Sequence, residues 1–229
     1  MNRRRFRTRL DPADLFVRGV SPAQVRRQQR AAVCLDVAAA ALADFTRGSH
    51  IFGLTKGQFS MIDLVAAMLD RVGAADVAVW TWCIAEYEVE AVSAFIADGR
   101  IRRFRMLMDW AGAQRDMPLV GDLQDRFGLD CIRVTKNHAK IVLVSTEDGW
   151  RVTLRGSMNL NANPRFEQFD VSDDPAIYAT VDDVMAEIWQ RSPALPAEKL
   201  RHHDAVQGLA AGGEIALPDW APEFRQWWP

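Results

Sequence analysis

The stretch HAKIVLVSTEDGWRVTLRGSMN, residues 138–159, constrains the fold of this chain more than any other. Two runs of apolar and β-branched residues flank Asp148-Gly149, the strongest short signal for a β-hairpin, because both central residues of a type I′ turn need positive φ. A two-residue turn at that point pairs Glu147 with Trp150, His138 with Asn159 and Lys140 with Ser157. Side chains alternate along a strand, so these four polar groups are predicted to share one face. Facing Cβ atoms would then lie about 4.5–5.5 Å apart. Gly156 beside Ser157 leaves room for a ligand, and Ala139, Ile141, Leu143, Leu154 and Met158 form the core-facing side. An imidazole, a fixed cation and neutral donors gathered in this way suit a phosphate oxyanion.

The sequence on either side alternates between strand and helix patterns. Residues 60–73 carry Met61, Leu64, Val65, Met68 and Leu69 at helical spacing, with Gly73 as the stop. Residues 76–82 and 102–110 read as apolar strands, 86–99 and 118–128 as helices, and 131–135 as a further strand. After the hairpin, 167–172 reads as a strand and 181–191 as a last helix with Thr180 as its cap. Strand-helix-strand order implies an α/β layer with parallel pairs, closed by an antiparallel hairpin. Three segments follow from this reading: an Arg-rich arm and helix over 1–48, an α/β domain over 49–192, and an extended Pro/Trp-rich tail over 193–229. Within the first, residues 21–48 are predicted to be a helix capped by Ser21, with Pro22 at its first position and Gly48 at its end.

Composition narrows the function classes. About half the residues are apolar, enough for a packed core, yet no run reaches the roughly 20 residues of a membrane-spanning helix. The expectation is no integral membrane association. No secretory leader is legible, and Cys34, Cys83 and Cys131 form no CxxC pair, which favours a cytoplasmic protein without disulfides or a zinc site. Residues 1–30 hold nine Arg and two Asp, a net +7, so the remaining chain carries −9 of the total −2. A basic arm of this kind can contact nucleic acid. His202-His203-Asp204 has metal-ligand residue types but no partner cluster, and Thr55-Lys56-Gly57 reads either as a phosphate contact or as a loop leading into a helix.

His138-Ala-Lys140 and Gly156-Ser157-Met158-Asn159 resemble the HxK…GSxN signature of the phospholipase D superfamily, over roughly residues 50–190. The chain departs from that pattern in two places. Ser145 stands where the family usually has Asp, with Asp148 as a partial stand-in, and the hairpin is longer at its tip. The resemblance implies a phospholipase D-like mixed sheet flanked by helices. It implies a phosphodiesterase that uses no metal and no cofactor and works through a phosphohistidine. The catalytic set would be His138, Lys140, Ser157, Asn159 and an acid after GSxN, Glu167 first and Asp170 second, which would orient the imidazole. Arg155, expected on the same face as Lys140, would bind substrate with Trp82 and Gly156. Of four histidines only His138 precedes a lysine at this spacing, so the second half of the site would come from a homodimer whose two-fold axis crosses it. Single-motif relatives are often nucleases, which together with the Arg-rich arm makes nucleic acid the expected substrate. A phospholipid or other phosphodiester hydrolase or transferase, and a catalytically silent nucleic-acid-binding protein, remain open alternatives.

Overall fold

The computed structural model describes residues 28–33 (backbone only), 37–160, 165–192, 194–197 and 199–200. The Arg-rich arm, Ser21, Pro22, Cys34 and the His202-His203-Asp204 run lie outside the described residues. Eight strands form one mixed sheet: β1 (Gln28–Val33), β2 (Ser49–Thr55), β3 (Ala75–Thr81), β4 (Ile101–Asp109), β5 (Ile132–Thr135), β6 (Ile141–Ser145), β7 (Arg151–Gly156) and β8 (Glu167–Asp173). Their order is β1-β2-β8-β7-β6-β3-β4-β5. The β3-β4-β5 run is parallel, whereas β6, β7, β8 and β2 join through antiparallel pairings. The helices are α1 (Ala38–Ala41), α2 (Met61–Val72), α3 (Glu86–Ala97), α4 (Trp110–Arg115), α5 (Met117–Phe127) and α6 (Pro175–Arg191). This is the mixed α/β architecture that the strand and helix patterning implies.

The two faces of the sheet are covered unequally. One carries Ile51, Val77, Val79, Met106, Met108, Val142, Val144, Val152, Leu154, Phe169 and Val171, buried with residues of α1 to α5 in the main core. The other carries Ala78, Leu107 and Leu143, which pack under Met185 and Ile188 of α6. The tail begins by lying along α5: Gln124 Nε2 donates to Leu195 O at 2.7 Å, Ala197 N–H donates to Gln124 Oε1 at 2.9 Å, and Leu200 is buried.

Three expectations are corrected. The stretch read as one long helix over 21–48 contains strand β1, which pairs in parallel with β2, and the single turn α1. Gln, Arg and Ala are good helix formers, but intrinsic propensity is a weak preference, and a six-residue ladder overrides it. β2 itself was not anticipated, because SHIFGLT is short and has Gly53 in its interior. The glycine is required there, since a Cβ would lie 2.1 Å from the Phe169 ring. The last helix starts at Pro175 and is capped by Asp174, whose Oδ1 accepts from Ala176 N–H at 2.9 Å. Thr180 lies inside the helix and donates to Ala176 O.

The third correction concerns the hairpin. β6 and β7 pair Ile141 with Arg155 and Ser145 with Arg151, one residue out of the register that a two-residue turn would impose. The loop has three residues: Thr146 N–H donates to Trp150 O at 3.3 Å, Gly149 N–H donates to Thr146 O at 3.2 Å, and Gly149 takes φ 96°. This is the alternative geometry open to Asp-Gly, in which glycine alone adopts the left-handed conformation. The tip is pinned from outside the hairpin. Trp150 stacks on Phe45 at 5.8 Å and lies 3.8 Å beneath the Arg47 guanidinium, which also pairs with Asp148. A slip of one residue exchanges faces, so Val142 and Leu154 share the main core, while Leu143 belongs to the α6 side.

Glu88 in the first turn of α3 is buried, and neither of its carboxylate oxygens has a hydrogen-bond partner. Burial, followed by the nearby Asp63 carboxylate, raises its pKa from 4.5 to about 7. The folded protein therefore holds this proton more tightly than the unfolded chain, and stability should fall as pH rises between about 4.5 and about 7. Glu88→Gln should remove that fall and raise stability at pH 8 by on the order of 2 kcal/mol, read from urea unfolding at pH 5 and pH 8. An unchanged pH dependence in the variant would refute the assignment.

Candidate functional site

The carboxyl ends of β3, β4 and β5 meet the start of β6, the end of β7 and the start of β8 along one edge of the sheet. Ligands of open α/β sheets bind outside the carboxyl ends of parallel strands, and His138, Lys140, Ser157, Asn159 and Glu167 all belong to segments at this edge. His138 and Lys140 precede β6 in an irregular segment. The segment is held by Asn137, a buried residue whose role the sequence did not reveal. Its Nδ2 donates to Thr81 O at 3.1 Å and to Leu107 O at 3.4 Å, and its Oδ1 accepts from Ala139 N–H at 3.0 Å. Its own N–H donates to Asp109 Oδ2 at 3.0 Å. The other Asp109 oxygen caps α4 by accepting from Ala111 N–H at 2.9 Å. One amide and one carboxylate thus tie the ends of β3 and β4 to the backbone that carries the histidine.

His138 is exposed, whereas Lys140 is 9% exposed. Lys140 Nζ lies 3.1 Å from His138 Nδ1 and donates to His138 O at 2.7 Å. Burial lowers the Lys140 pKa, against the opposing pull of Cys83, Asp109 and Glu167. A charged ammonium has no acceptor, so it fixes Nδ1 as the acceptor and leaves the ring proton on Nε2, facing out. Across the edge, the Ser157 hydroxyl donates to Glu167 Oε2, and Gln168 N–H donates to Ser157 Oγ at 3.0 Å. Asn159 Oδ1 accepts from Trp82 N–H at 3.3 Å, which leaves its NH2 group for other partners. Thr81 Oγ1 receives Leu160 N–H at 3.4 Å, and a β-bridge joins Ile84 to Leu160, so the end of the GSxN segment is laced to the β3–α3 loop.

Several expected roles change. Glu167 bonds Ser157 rather than His138, whose Nδ1 faces Lys140. Asp170 pairs with His50 and Arg155 instead. Arg155 lies opposite Ile141, hence on the other face from Lys140, because of the one-residue register shift. Gly156 provides close strand packing: a Cβ there would lie 2.6 Å from Gln168 O, so the β8 backbone takes up the space. Ser145 lies at the far end of β6, and Asp148 is engaged by Thr146 and Arg47 at the hairpin tip. Trp82 remains at the site and is half-buried, with the Arg115 guanidinium 4.8 Å from its ring. Thr55 and Lys56 form a turn that leads into α2. Lys56 Nζ lies 5.5 Å from the ring of Phe166, which is 69% exposed beside Glu167. Among the described residues no three His, Cys, Asp or Glu side chains converge to hold a metal ion, and no helix is long and apolar enough to cross a membrane.

No family model and no curated protein matches the chain. Solved structures similar to it include NucT from Helicobacter pylori, at 11% identity and TM-score 0.45, covering 64% of this chain and all of that one. Polyphosphate kinase from Porphyromonas gingivalis is similar at 13% identity and TM-score 0.45, covering 63% of this chain and 26% of that one. For phosphatidylserine synthase from Haemophilus influenzae the figures are 13% identity, TM-score 0.45, and 71% and 45% coverage.

Replacing Asn137 with Ala strands the carbonyls of Thr81 and Leu107 and frees the His138 segment. We expect a loss of about 2 kcal/mol in urea unfolding, together with faster hydrogen exchange at Ala139, whose amide Asn137 holds. A stability within 0.5 kcal/mol of wild type, a change typical of ordinary surface substitutions, would remove Asn137 from its bracing role.

Proposed function

We propose that this chain is a phosphodiesterase of the phospholipase D superfamily, acting as an endonuclease on DNA or RNA at a site completed by a second copy of the chain. The observation that carries the reading is the single edge at which an exposed imidazole, a buried lysine, the Ser157–Glu167 pair and Asn159 lie together. These are the groups that in-line displacement at phosphorus requires: a nucleophile, a proton donor and donors for the equatorial oxygens. Nucleic acid is favoured by the rim, where Arg115 over Trp82 and Lys56 beside Phe166 offer cationic and aromatic surface to phosphates and bases.

One histidine cannot serve as both nucleophile and acid in one step, and this chain carries one HxK. In the proposed dimer, His138 Nε2 of one protomer attacks phosphorus, forming the N–P bond as the P–O bond to the leaving group breaks. His138 of the second protomer gives its Nε2 proton to that leaving oxygen. The same imidazole then takes a proton from water, whose oxygen attacks phosphorus, breaks the N–P bond and regenerates the first histidine. The acid is needed as the imidazolium, which becomes a neutral imidazole when it gives up its Nε2 proton and is recharged by the proton taken from water. The nucleophilic protomer needs the neutral tautomer with Nδ1–H given to an acceptor, so the two copies act in different protonation states.

Cleavage of single-stranded or duplex DNA or RNA is expected to persist in excess EDTA and to vanish in His138→Ala. The shared site has its own test. When wild type and His138→Ala are mixed equally and allowed to exchange protomers, activity per wild-type protomer should fall to about half, because mixed dimers are dead. Independent sites would leave it unchanged. Turnover of phospholipid vesicles with no nucleic-acid cleavage would replace the nuclease reading.

A further inference from the structure

At the opposite end of the sheet, Ser145, Arg151, Tyr178 and the arginines of β4 line a polar cleft of about 340 Å³. It is separated from Lys140 by the length of β6, roughly 15 Å for a strand of five residues. Four guanidiniums, those of Arg102, Arg103, Arg105 and Arg151, meet three carboxylates, those of Asp76, Glu147 and Asp182. Three of the arginines are paired: Arg102 with Glu147 at 2.5 Å and Asp76 at 3.5 Å, Arg103 with Asp76 at 2.6 Å, and Arg105 with Asp182 at 2.9 Å. Among the described residues Arg151 has no carboxylate partner. Its Nη1 donates to Thr146 O at 3.0 Å and Trp150 O at 2.7 Å, two carbonyls of the hairpin loop that fix the guanidinium in place.

Ser145 lies directly across the ladder from Arg151, and its hydroxyl lies against the Tyr178 phenol, whose pKa burial raises. A carboxylate at 145 would close an ion pair with Arg151; a serine leaves the cation uncompensated and adds a neutral donor beside it. From this juxtaposition we propose that the cleft is a second binding site, which takes a small phosphate-bearing ligand through Arg151, Arg105, Ser145 and Tyr178. A guanidinium fixed by two backbone carbonyls loses little freedom on binding, and its planar fork matches phosphate oxygens. The cleft exceeds a bare phosphate and falls at the lower end of the usual range for small-molecule sites, so a phosphate monoester such as a nucleoside monophosphate would fill it better. The inference does not depend on the nuclease reading.

The test is calorimetric titration of the full chain with inorganic phosphate and with a nucleoside monophosphate, using sulfate-free, low-salt buffer. Binding of at least one is expected, and Arg151→Gln and Ser145→Asp should each weaken it at least 10-fold. Urea unfolding of both variants is measured alongside, because an acid at 145 would face Arg151 on one neighbouring strand and Asp76 on the other; a fold defect would then be visible as a separate effect. Tighter binding of the nucleotide would assign the organic group to the cleft, and equal binding would assign the site to the phosphate alone. The proposal is overturned if neither probe binds, or if both variants bind like wild type while Lys140→Ala abolishes binding, which would put the phosphate at the other end of the sheet.

Discussion

The side chain of Asn137 is the constraint on which the candidate site depends. Thr81 at the end of β3 and Leu107, two residues before the end of β4, offer carbonyls at the edge where the chemistry is gathered. A buried amide that satisfies both, while accepting Ala139 N–H, converts two strand ends and an irregular segment into one rigid support. Asp109 closes the arrangement by taking Asn137 N–H on one oxygen and capping α4 with the other. The exposed histidine thus stands on backbone that has few conformations open to it, as a group that must meet a reacting atom requires.

Much of this architecture could be read from periodicity. α2, α3, α5 and strands β3, β4 and β5 carry strong patterns, and each lies within a few residues of the predicted bounds. The N-terminal region failed for a definite reason: Gln28–Val33 has no β-branched residue except its last, and only pairing with β2 makes it a strand. The hairpin failed more instructively. Asp-Gly correctly located the reversal, but it is compatible with loops of two and of three residues, and those loops place opposite residues on a given face. What decided between them lies far away in sequence, in the Phe45, Trp150 and Arg47 stack that pins the tip.

The site residues were legible as types and the partnerships were not. Glu167 was identifiable as an acid near the motif, but its binding of Ser157 instead of His138 follows from β8 running close beside the end of β7. Asp170, three residues further along β8 and hence on the other face, lies opposite Arg155 and pairs with it and with His50. Asn137 and Asp109 were invisible because a buried polar bracket has no periodic signature. Only the carbonyls that it satisfies, contributed by strands 30 and 56 residues away in sequence, give it a purpose.

The equal spacing of His138–Lys140 and Ser157–Asn159 suggests one device acting twice, yet two different ones place these residues. A regular ladder extended beyond Ile141 would set Gly156 opposite Lys140, and Gly156 N–H does donate to Lys140 O at 3.1 Å. Continued further, alternation would turn Ser157 away from the lysine. The chain avoids this by leaving β6 at that point: Ser157 N–H donates to Gln168 O at 3.1 Å, so the segment passes to β8, where Glu167 receives its hydroxyl. Gly156 is what permits the change of partner, because any side chain there would meet the same Gln168 carbonyl. The first pair is therefore positioned by a buried amide, and the second by a glycine that lets the β8 backbone approach. Both act where the regular hydrogen-bond ladder gives out, which is why a register argument alone, even with the right register, would not have assembled the site.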